Sequence, residues 1–224
     1  MRVPVLAAVL LGAAVLVAPP SWSAPGACAA LGGVVQADDT CRVQATGPAY
    51  TMDVAFPLGY PDEQAIVDYL TQTREGFVNV ASTPDSRNLP YEMDVTAESF
   101  QSAQTRSVVL TLFQNVGSAH PTTWYKSFTH NVATGRPVTL DTLFAPEAKP
   151  MDAIFPIVQS QLESGTGLAG SISPGDGRDP THYQNFAITD DSVIFFFGRA
   201  ELLPSYAGAT SVTVPRSEIP PLQL

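Results

Sequence analysis

The chain has 224 residues, of which 45% are hydrophobic and only 14% are charged, and its formal net charge is −10. This composition is that of a folded globular chain, and the 20 Pro and 16 Gly follow no repeat, which excludes collagen-like and low-complexity architectures. The excess of acidic groups argues against a protein that binds nucleic-acid phosphates or anionic membrane surfaces.

Residues 1–23 have the features of a secretory signal peptide. Arg2 precedes an apolar run over residues 3–17, and Ser21 and Ser23 place small side chains at positions −3 and −1 of a cleavage site before Ala24. A helix of that run would span about 22 Å, which is less than the roughly 30 Å hydrocarbon core of a bilayer. We therefore predict cleavage and export with no stable membrane span afterwards; an uncleaved membrane anchor is the alternative.

The two cysteines, Cys28 and Cys41, lie close to the predicted mature N-terminus. An even number of cysteines in an exported chain indicates a disulfide. Lipidation of Cys28 is the alternative, because small residues precede it. However, Pro25 stands where a lipobox has leucine, and lipidation would leave Cys41 without a partner. The sequence therefore predicts a structural disulfide.

A β-α-β unit is predicted in the first half of the mature chain. Residues 50–56 alternate between apolar and polar side chains, which indicates a half-buried strand. Apolar residues then recur at helical spacing from residue 66 to residue 80, after the helix start signal Pro61-Asp62-Glu63. A second alternating strand follows at residues 91–95. We predict further strands at residues 108–113, which are apolar on both faces, at 124–131 and at 137–140.

The rest of the chain predicts one more helix and three more strands. The helix covers residues 151–163 and ends at Gly165 and Gly167, and Pro156 is tolerated only if the helix begins near Asp152. Residues 185–189 and 193–197 predict a hairpin, and residues 210–214 a last strand. Strands outnumber helices, so we predict an α+β fold with a largely antiparallel sheet and two main helices. A change of composition near residues 99–105 divides the mature chain into a 24–105 part and a 106–224 part.

The sequence contains no recognisable motif for a metal or a nucleotide cofactor. His120, His130 and His182 lack the spacing of metal ligands, and there is no CxxC pair. No glycine-rich phosphate loop is present either. We therefore expect neither a metal site nor a cofactor.

Two serine–histidine arrangements are candidates for nucleophilic catalysis. Ser118 lies two residues before His120 in a Gly/Pro-bounded loop. Ser173 lies in Ser171–Gly175, a partial match to the G-x-S-x-G nucleophile motif, and His182 follows it. The alternative is that both serines only make turn hydrogen bonds, as most serines in such loops do.

The aromatic pair Trp124 and Tyr125 directly follows the loop 117–123, which holds His120. Aromatic side chains of this kind either fill the core or line an apolar groove. Because loops on a rigid scaffold often carry function, we expect His120, Trp124 and Tyr125 to form a binding site beside the main surface groove. A buried, hydrogen-bonded His120 is the structural alternative.

A series of short segments follows the same order along this chain as in a known family. The segments are Tyr60–Asp62, Gly117–Thr123, Asp141–Leu143, Phe155–Gln159, Asp179–Pro180, Tyr183–Ala187, Val193–Phe197, Glu201–Pro204 and Val214–Ser217. Together with the signal peptide and the early cysteine pair, they resemble the mycobacterial secreted immunogenic antigen family of the MPT/MPB type. From about Arg106 onward, the chain also resembles the extracytoplasmic domain of RsiV-type anti-sigma factors, which bind lysozyme, and a non-catalytic domain that accompanies some peptidoglycan deacetylases.

The resemblance implies a secreted protein with a β-grasp-like α+β fold, in which residues 106–224 form the RsiV-like part. The family is known for immunogenicity, and carboxylesterase activity has been ascribed within it. Two hypotheses follow. The first is a secreted immunogenic protein that binds a protein or cell-envelope partner, either free outside the cell or associated with the cell wall. The alternative is a weak carboxylesterase that acts on short-chain acyl esters. A lysozyme-binding module is a third reading.

Overall fold

The computed structural model describes residues 25–83, 86–118 and 120–224, so the predicted signal peptide lies outside the described residues. The strands are β1 (Val34–Val35), β2 (Thr40–Thr46), β3 (Tyr50–Pro57), β4 (Tyr91–Gln101), β5 (Thr105–Asn115), β6 (Thr122–Asn131), β7 (Arg136–Pro137), β8 (Phe186–Ile188), β9 (Ser192–Phe197) and β10 (Thr210–Pro215). The α-helices are α1 (Pro25–Ala30), α2 (Glu63–Ala81), α3 (Leu140–Leu143), α4 (Pro150–Thr166) and α5 (Pro174–Gly177). Short 3₁₀ turns cover Pro180–Tyr183, Ser205–Ala207 and Arg216–Glu218.

The strands form a seven-stranded sheet in the order β1 to β7 and a three-stranded sheet in the order β10-β9-β8. The one parallel pair among the described strands joins β3 to β4, and α2 forms the crossover between them. The side chain of Asp62 begins α2 by accepting a hydrogen bond from the amide of Ala65 at 3.3 Å. The predicted α+β fold, with a largely antiparallel sheet and two long helices, is confirmed.

The two sheets lie face to face between the two long helices. Helix α2 buries Ile66, Leu70 and Phe77 against the outer face of the seven-stranded sheet. Helix α4 covers the outer face of the three-stranded sheet in the same way, with residues that include Phe155 and Val158. The order of layers is therefore helix, sheet, sheet, helix.

Strand β9 shows why the central layers are apolar on both sides. Ile194 and Phe196 face the seven-stranded sheet, while Val193, Phe195 and Phe197 face α4. Alternation along a strand directs neighbouring side chains to opposite faces, and here both faces are covered. The same reason explains the continuous apolar run predicted in β5.

Helix α4 begins earlier than the sequence analysis predicted, so the expected start near Asp152 is wrong. Pro150 occupies the first helical position, where its missing N–H costs nothing. Pro156 consequently lies in the second turn, where it leaves the carbonyl of Asp152 without its helix partner. Both residues are exposed, so solvent can reach that carbonyl. Gly167 ends the helix with a left-handed backbone conformation (φ 72°), as predicted.

The predicted division at residue 106 lies at the beginning of β5, inside the antiparallel β4–β5 pair. One large cluster of buried residues nevertheless ends at residue 112, and another begins at residue 140. The division of the mature chain into two parts remains a prediction. None of the helices in the described ranges is long and apolar enough to cross a membrane.

The predicted disulfide between Cys28 and Cys41 is present and joins α1 to β2. Both cysteines are completely buried in the core that α2 forms with the seven-stranded sheet. The backbone of Gly33 passes so close to the two sulfur atoms that a side chain there would collide with them. The bridge therefore anchors the first described residues to the seven-stranded sheet.

Candidate active site

The two serines predicted as nucleophiles both make local hydrogen bonds. The Ser118 hydroxyl donates to the backbone carbonyl of His120 at 3.0 Å. The Ser173 hydroxyl donates to a carboxylate oxygen of Asp176 at 2.8 Å and accepts from the Asp176 amide at 3.1 Å, so it caps α5. Within the described residues neither hydroxyl is hydrogen-bonded to an imidazole. These contacts match the turn-forming alternative for both serines.

His120 is exposed rather than buried. A cavity of about 660 Å³ lies between α2 and strands β2 and β3, and one of about 410 Å³ lies where residues 57–61 approach β4 and β5. Neither cavity is lined by His120, Trp124 or Tyr125. The 117–123 loop borders neither of these two cavities, and the expectation that it borders a main groove remains a prediction.

Trp124 and Tyr125 point to opposite faces of β6. The Trp124 indole donates to the hydroxyl of Tyr69 on α2 at 2.9 Å. The Tyr125 ring instead packs 5.3 Å from the ring of Phe196, between the two sheets. A binding site that combines His120, Trp124 and Tyr125 remains a prediction, and it would have to engage two different layers of the fold.

The structure brings together a histidine and a carboxylate that the sequence analysis did not pair. Nδ1 of His182, in the Pro180–Tyr183 turn, lies 3.9 Å from Oε1 of Glu201, in the turn after β9. About a quarter of each side chain is exposed. The other oxygen of Glu201 accepts a hydrogen bond from the Gly198 amide at 2.6 Å. The carboxylate is therefore held in place with one oxygen directed at the imidazole.

The electrostatic environment of Glu201 reflects its partial burial. Burial raises the pKa of this carboxyl group, while the Gly198 amide and the charge of His182 oppose that rise. An imidazole that donates from Nδ1 to such a carboxylate keeps Nε2 as a proton acceptor. A separation of 3.9 Å is longer than a hydrogen bond, and catalytic contacts are often that long before substrate binds.

Arg199 connects this pair to the 117–123 loop. Its amide donates to the carbonyl of Thr123 at 2.8 Å, and its guanidinium donates to the carbonyl of Pro121 at 2.7 Å. Two segments that carried the family resemblance, Gly117–Thr123 and Glu201–Pro204, therefore lie side by side. The pairing of His182 with Glu201 has no spacing motif, and an acidic residue four positions after the apolar strand β9 was the only signal for it.

The comparisons with known proteins agree with the fold and with the resemblance. A family model described as a protein of unknown function, DUF3298, matches residues 141–217. The solved structure of a DUF3298 family protein from Pseudomonas aeruginosa covers 84% of this chain and 96% of that chain with a TM-score of 0.53. It is only 12% identical, so this likeness concerns the fold alone.

The sequence relatives extend along most or all of the chain. The protein named esterase Rv3036c, from Mycobacterium tuberculosis, is 55% identical over 100% of both chains. Immunogenic protein MPT64 of Mycobacterium tuberculosis and immunogenic protein MPB64 of Mycobacterium bovis are each 45% identical over 80% of this chain and 80% of their own length. At this identity and coverage the resemblance is confirmed, and the chain belongs to the family that contains the immunogenic proteins MPT64 and MPB64 and the esterase Rv3036c.

Proposed function

We propose that this protein is an exported carboxylic ester hydrolase of modest catalytic power that acts on short-chain acyl esters. The observation that carries the proposal is the 55% identity, over the full length of both chains, to a relative named an esterase. The predicted signal peptide and the buried disulfide support export, because disulfides persist in oxidising compartments.

The His182–Glu201 pair supplies the chemistry that such a reaction needs. In the proposed mechanism Glu201 orients the neutral imidazole through Nδ1, and Nε2 accepts a proton from a water molecule as its oxygen attacks the ester carbonyl. The bond between the carbonyl carbon and the alkoxy oxygen then breaks, and the imidazolium returns the proton to the leaving alcohol. This route uses no serine nucleophile, in keeping with the local hydrogen bonds of Ser118 and Ser173.

The test is turnover of p-nitrophenyl acetate and p-nitrophenyl butyrate by the purified exported protein. We expect His182→Ala to lower kcat/KM about 100-fold, because general base catalysis typically contributes 10²–10⁴-fold. Glu201→Gln should lower the rate less and should alter the pH profile, since it acts through the imidazole. His120→Ala is the matched control, because it removes an exposed histidine of the neighbouring loop.

Three outcomes would contradict parts of this proposal. Turnover no faster than that of the heat-denatured protein would exclude the esterase function. Loss of activity in Ser118→Ala or Ser173→Ala, with His182→Ala active, would replace the proposed mechanism by a serine mechanism. Equal losses in His120→Ala and His182→Ala would remove the specific assignment to His182.

Binding of a protein or cell-envelope partner is the second candidate function. A half-buried aromatic cluster on α2 and β6 favours it, because aromatic residues are enriched at protein interfaces. Lys126 Nζ lies 5.7 Å from the Tyr69 ring centroid and 5.5 Å from that of Phe128. Co-sedimentation with insoluble peptidoglycan that Lys126→Glu abolishes and His182→Ala preserves would support envelope binding at this cluster.

A further inference from the structure

A second concave site lies at the opposite end of β6 from the His182–Glu201 pair. That pair adjoins Thr123, whereas this site adjoins His130, about 23 Å away at roughly 3.3 Å per strand residue. It is the cavity of about 410 Å³, which falls in the size range of small-molecule sites. Its walls combine apolar side chains, which include Pro57, Tyr60 and Val108, with polar ones from β4 and β5.

Arg106 is the only charged residue among those that line this cavity in the described part of the chain. One guanidinium nitrogen, Nη1, donates to the carbonyls of Ser102 and Thr105, each at 3.0 Å. No carboxylate lies within ion-pairing distance of Arg106 in the described ranges, although acidic residues outnumber basic ones by 21 to 11 in the chain. The guanidinium is held in place by the backbone, and its remaining donors suit a planar anion such as a carboxylate.

His130, next to this cavity, carries a second polar group without a protein partner within the described segments. It pairs with Arg106 across β5 and β6, and its ring packs edge-on against Tyr60 at 6.2 Å. Its side chain is more than nine-tenths buried, and Nδ1 has no hydrogen-bond partner among the described residues. Buried polar atoms are nearly always paired, so an unpaired one calls for an explanation such as a bound water, an ion or a functional role.

We propose that this cavity binds a medium-chain fatty carboxylate. Arg106 would bind the carboxylate, and the apolar walls would bury the first part of the acyl chain. The exposed side of the cavity carries Val132, a large apolar residue that is 44% exposed and would cover the rest of the chain. The site is separate from the His182–Glu201 pair, so the proposal does not depend on the esterase function.

The test is calorimetric titration of the exported protein with sodium decanoate below its micelle concentration. Decanol, which has the same chain without the charge, and decyl phosphate, which has a different anionic head, are titrated in parallel. We expect decanoate to bind more tightly than either, because a guanidinium forms two parallel hydrogen bonds with a carboxylate. Failure of decanoate to bind at millimolar concentration, or tighter binding of decyl phosphate, would overturn the assignment.

Variants separate the contribution of the charge from that of the walls. Arg106→Gln should weaken decanoate binding about tenfold or more and leave decanol binding unchanged. Arg74→Gln is the matched control, because Arg74 lines the other cavity and also donates to a backbone carbonyl, that of Leu31, at 2.9 Å. Val132→Asp changes an exposed wall residue, so it tests the site even if Arg106→Gln fails to fold, and it should weaken binding of both ligands. Equal effects of the two arginine variants, or no effect of Val132→Asp, would refute the proposal.

Discussion

The packing of the two sheets against each other depends on buried hydroxyl groups, and Thr129→Val tests that dependence. Thr129 is 5% exposed, and its hydroxyl lies 3.0 Å from the Ser107 hydroxyl and 3.2 Å from the carbonyl of Phe186 on β8. Valine keeps the shape of the side chain but removes the donor, so no cavity forms. Stranding a buried polar partner costs about 1–3 kcal/mol of the free energy of unfolding. For a domain of this size the melting temperature should fall by about 2–12 °C.

The assay is urea and thermal unfolding of the purified protein, followed by circular dichroism. Thr122→Val, at an exposed position of the same strand, is the matched control and should change the free energy of unfolding by less than about 0.5 kcal/mol. Ser107→Ala combined with Thr129→Val should be less destabilising than the sum of the single variants, since the two hydroxyls share a hydrogen bond. An unchanged unfolding free energy for Thr129→Val, or strict additivity in the double variant, would refute the claim that these hydroxyl groups stabilise the contact between the sheets.

Three further predictions follow from the cysteine pair, from Glu201 and from the N-terminus. Replacing Cys41 by Ala should lower the free energy of unfolding by about 2–5 kcal/mol, and thiol reagents should label the native protein only after reduction; labelling beforehand would contradict the bridge. Burial raises the pKa of Glu201, so the folded state binds the carboxyl proton more tightly than the unfolded chain does. Losing that proton therefore lowers the free energy of unfolding as the pH rises from about 4.5 through the raised pKa. Glu201→Gln should therefore gain stability over wild type as the pH rises above about 4.5 in urea unfolding, and a constant difference would argue against burial as the cause. N-terminal sequencing of the exported protein should begin at Ala24, and a membrane-bound product that retains Arg2 would exclude cleavage.

Periodicity along the sequence was sufficient to predict both long helices and most of the longer strands. It missed β2, and the strand predicted at residues 137–140 is wrong, because β7 ends at Pro137 and α3 begins at Leu140. The alternation in residues 50–56 and the helical spacing from residue 66 to residue 80 correspond to β3 and α2. These patterns are informative because the period of the side chains is a local property of the backbone, and one buried face imposes it directly on the sequence. The start of α4 was misjudged because a proline inside a helix is tolerated where its side chain is exposed, and exposure cannot be read from neighbouring residues.

The candidate site depended on contacts that no local pattern encodes. His182 and Glu201 lie in different turns. The hydrogen bonds of Arg199 hold the turn after β9 against the beginning of β6, and the Gly198 amide fixes the Glu201 carboxylate beside the imidazole. Trp124 and Tyr125 are neighbours in the sequence, but the strand sends them to opposite layers. The sequence by itself determined the two long helices, most of the longer strands, the disulfide and the family, because each is written in local spacing or in short ordered segments. Only the tertiary structure decided which side chains share a site, because the stacking of two sheets between two helices brings together residues that are remote along the chain.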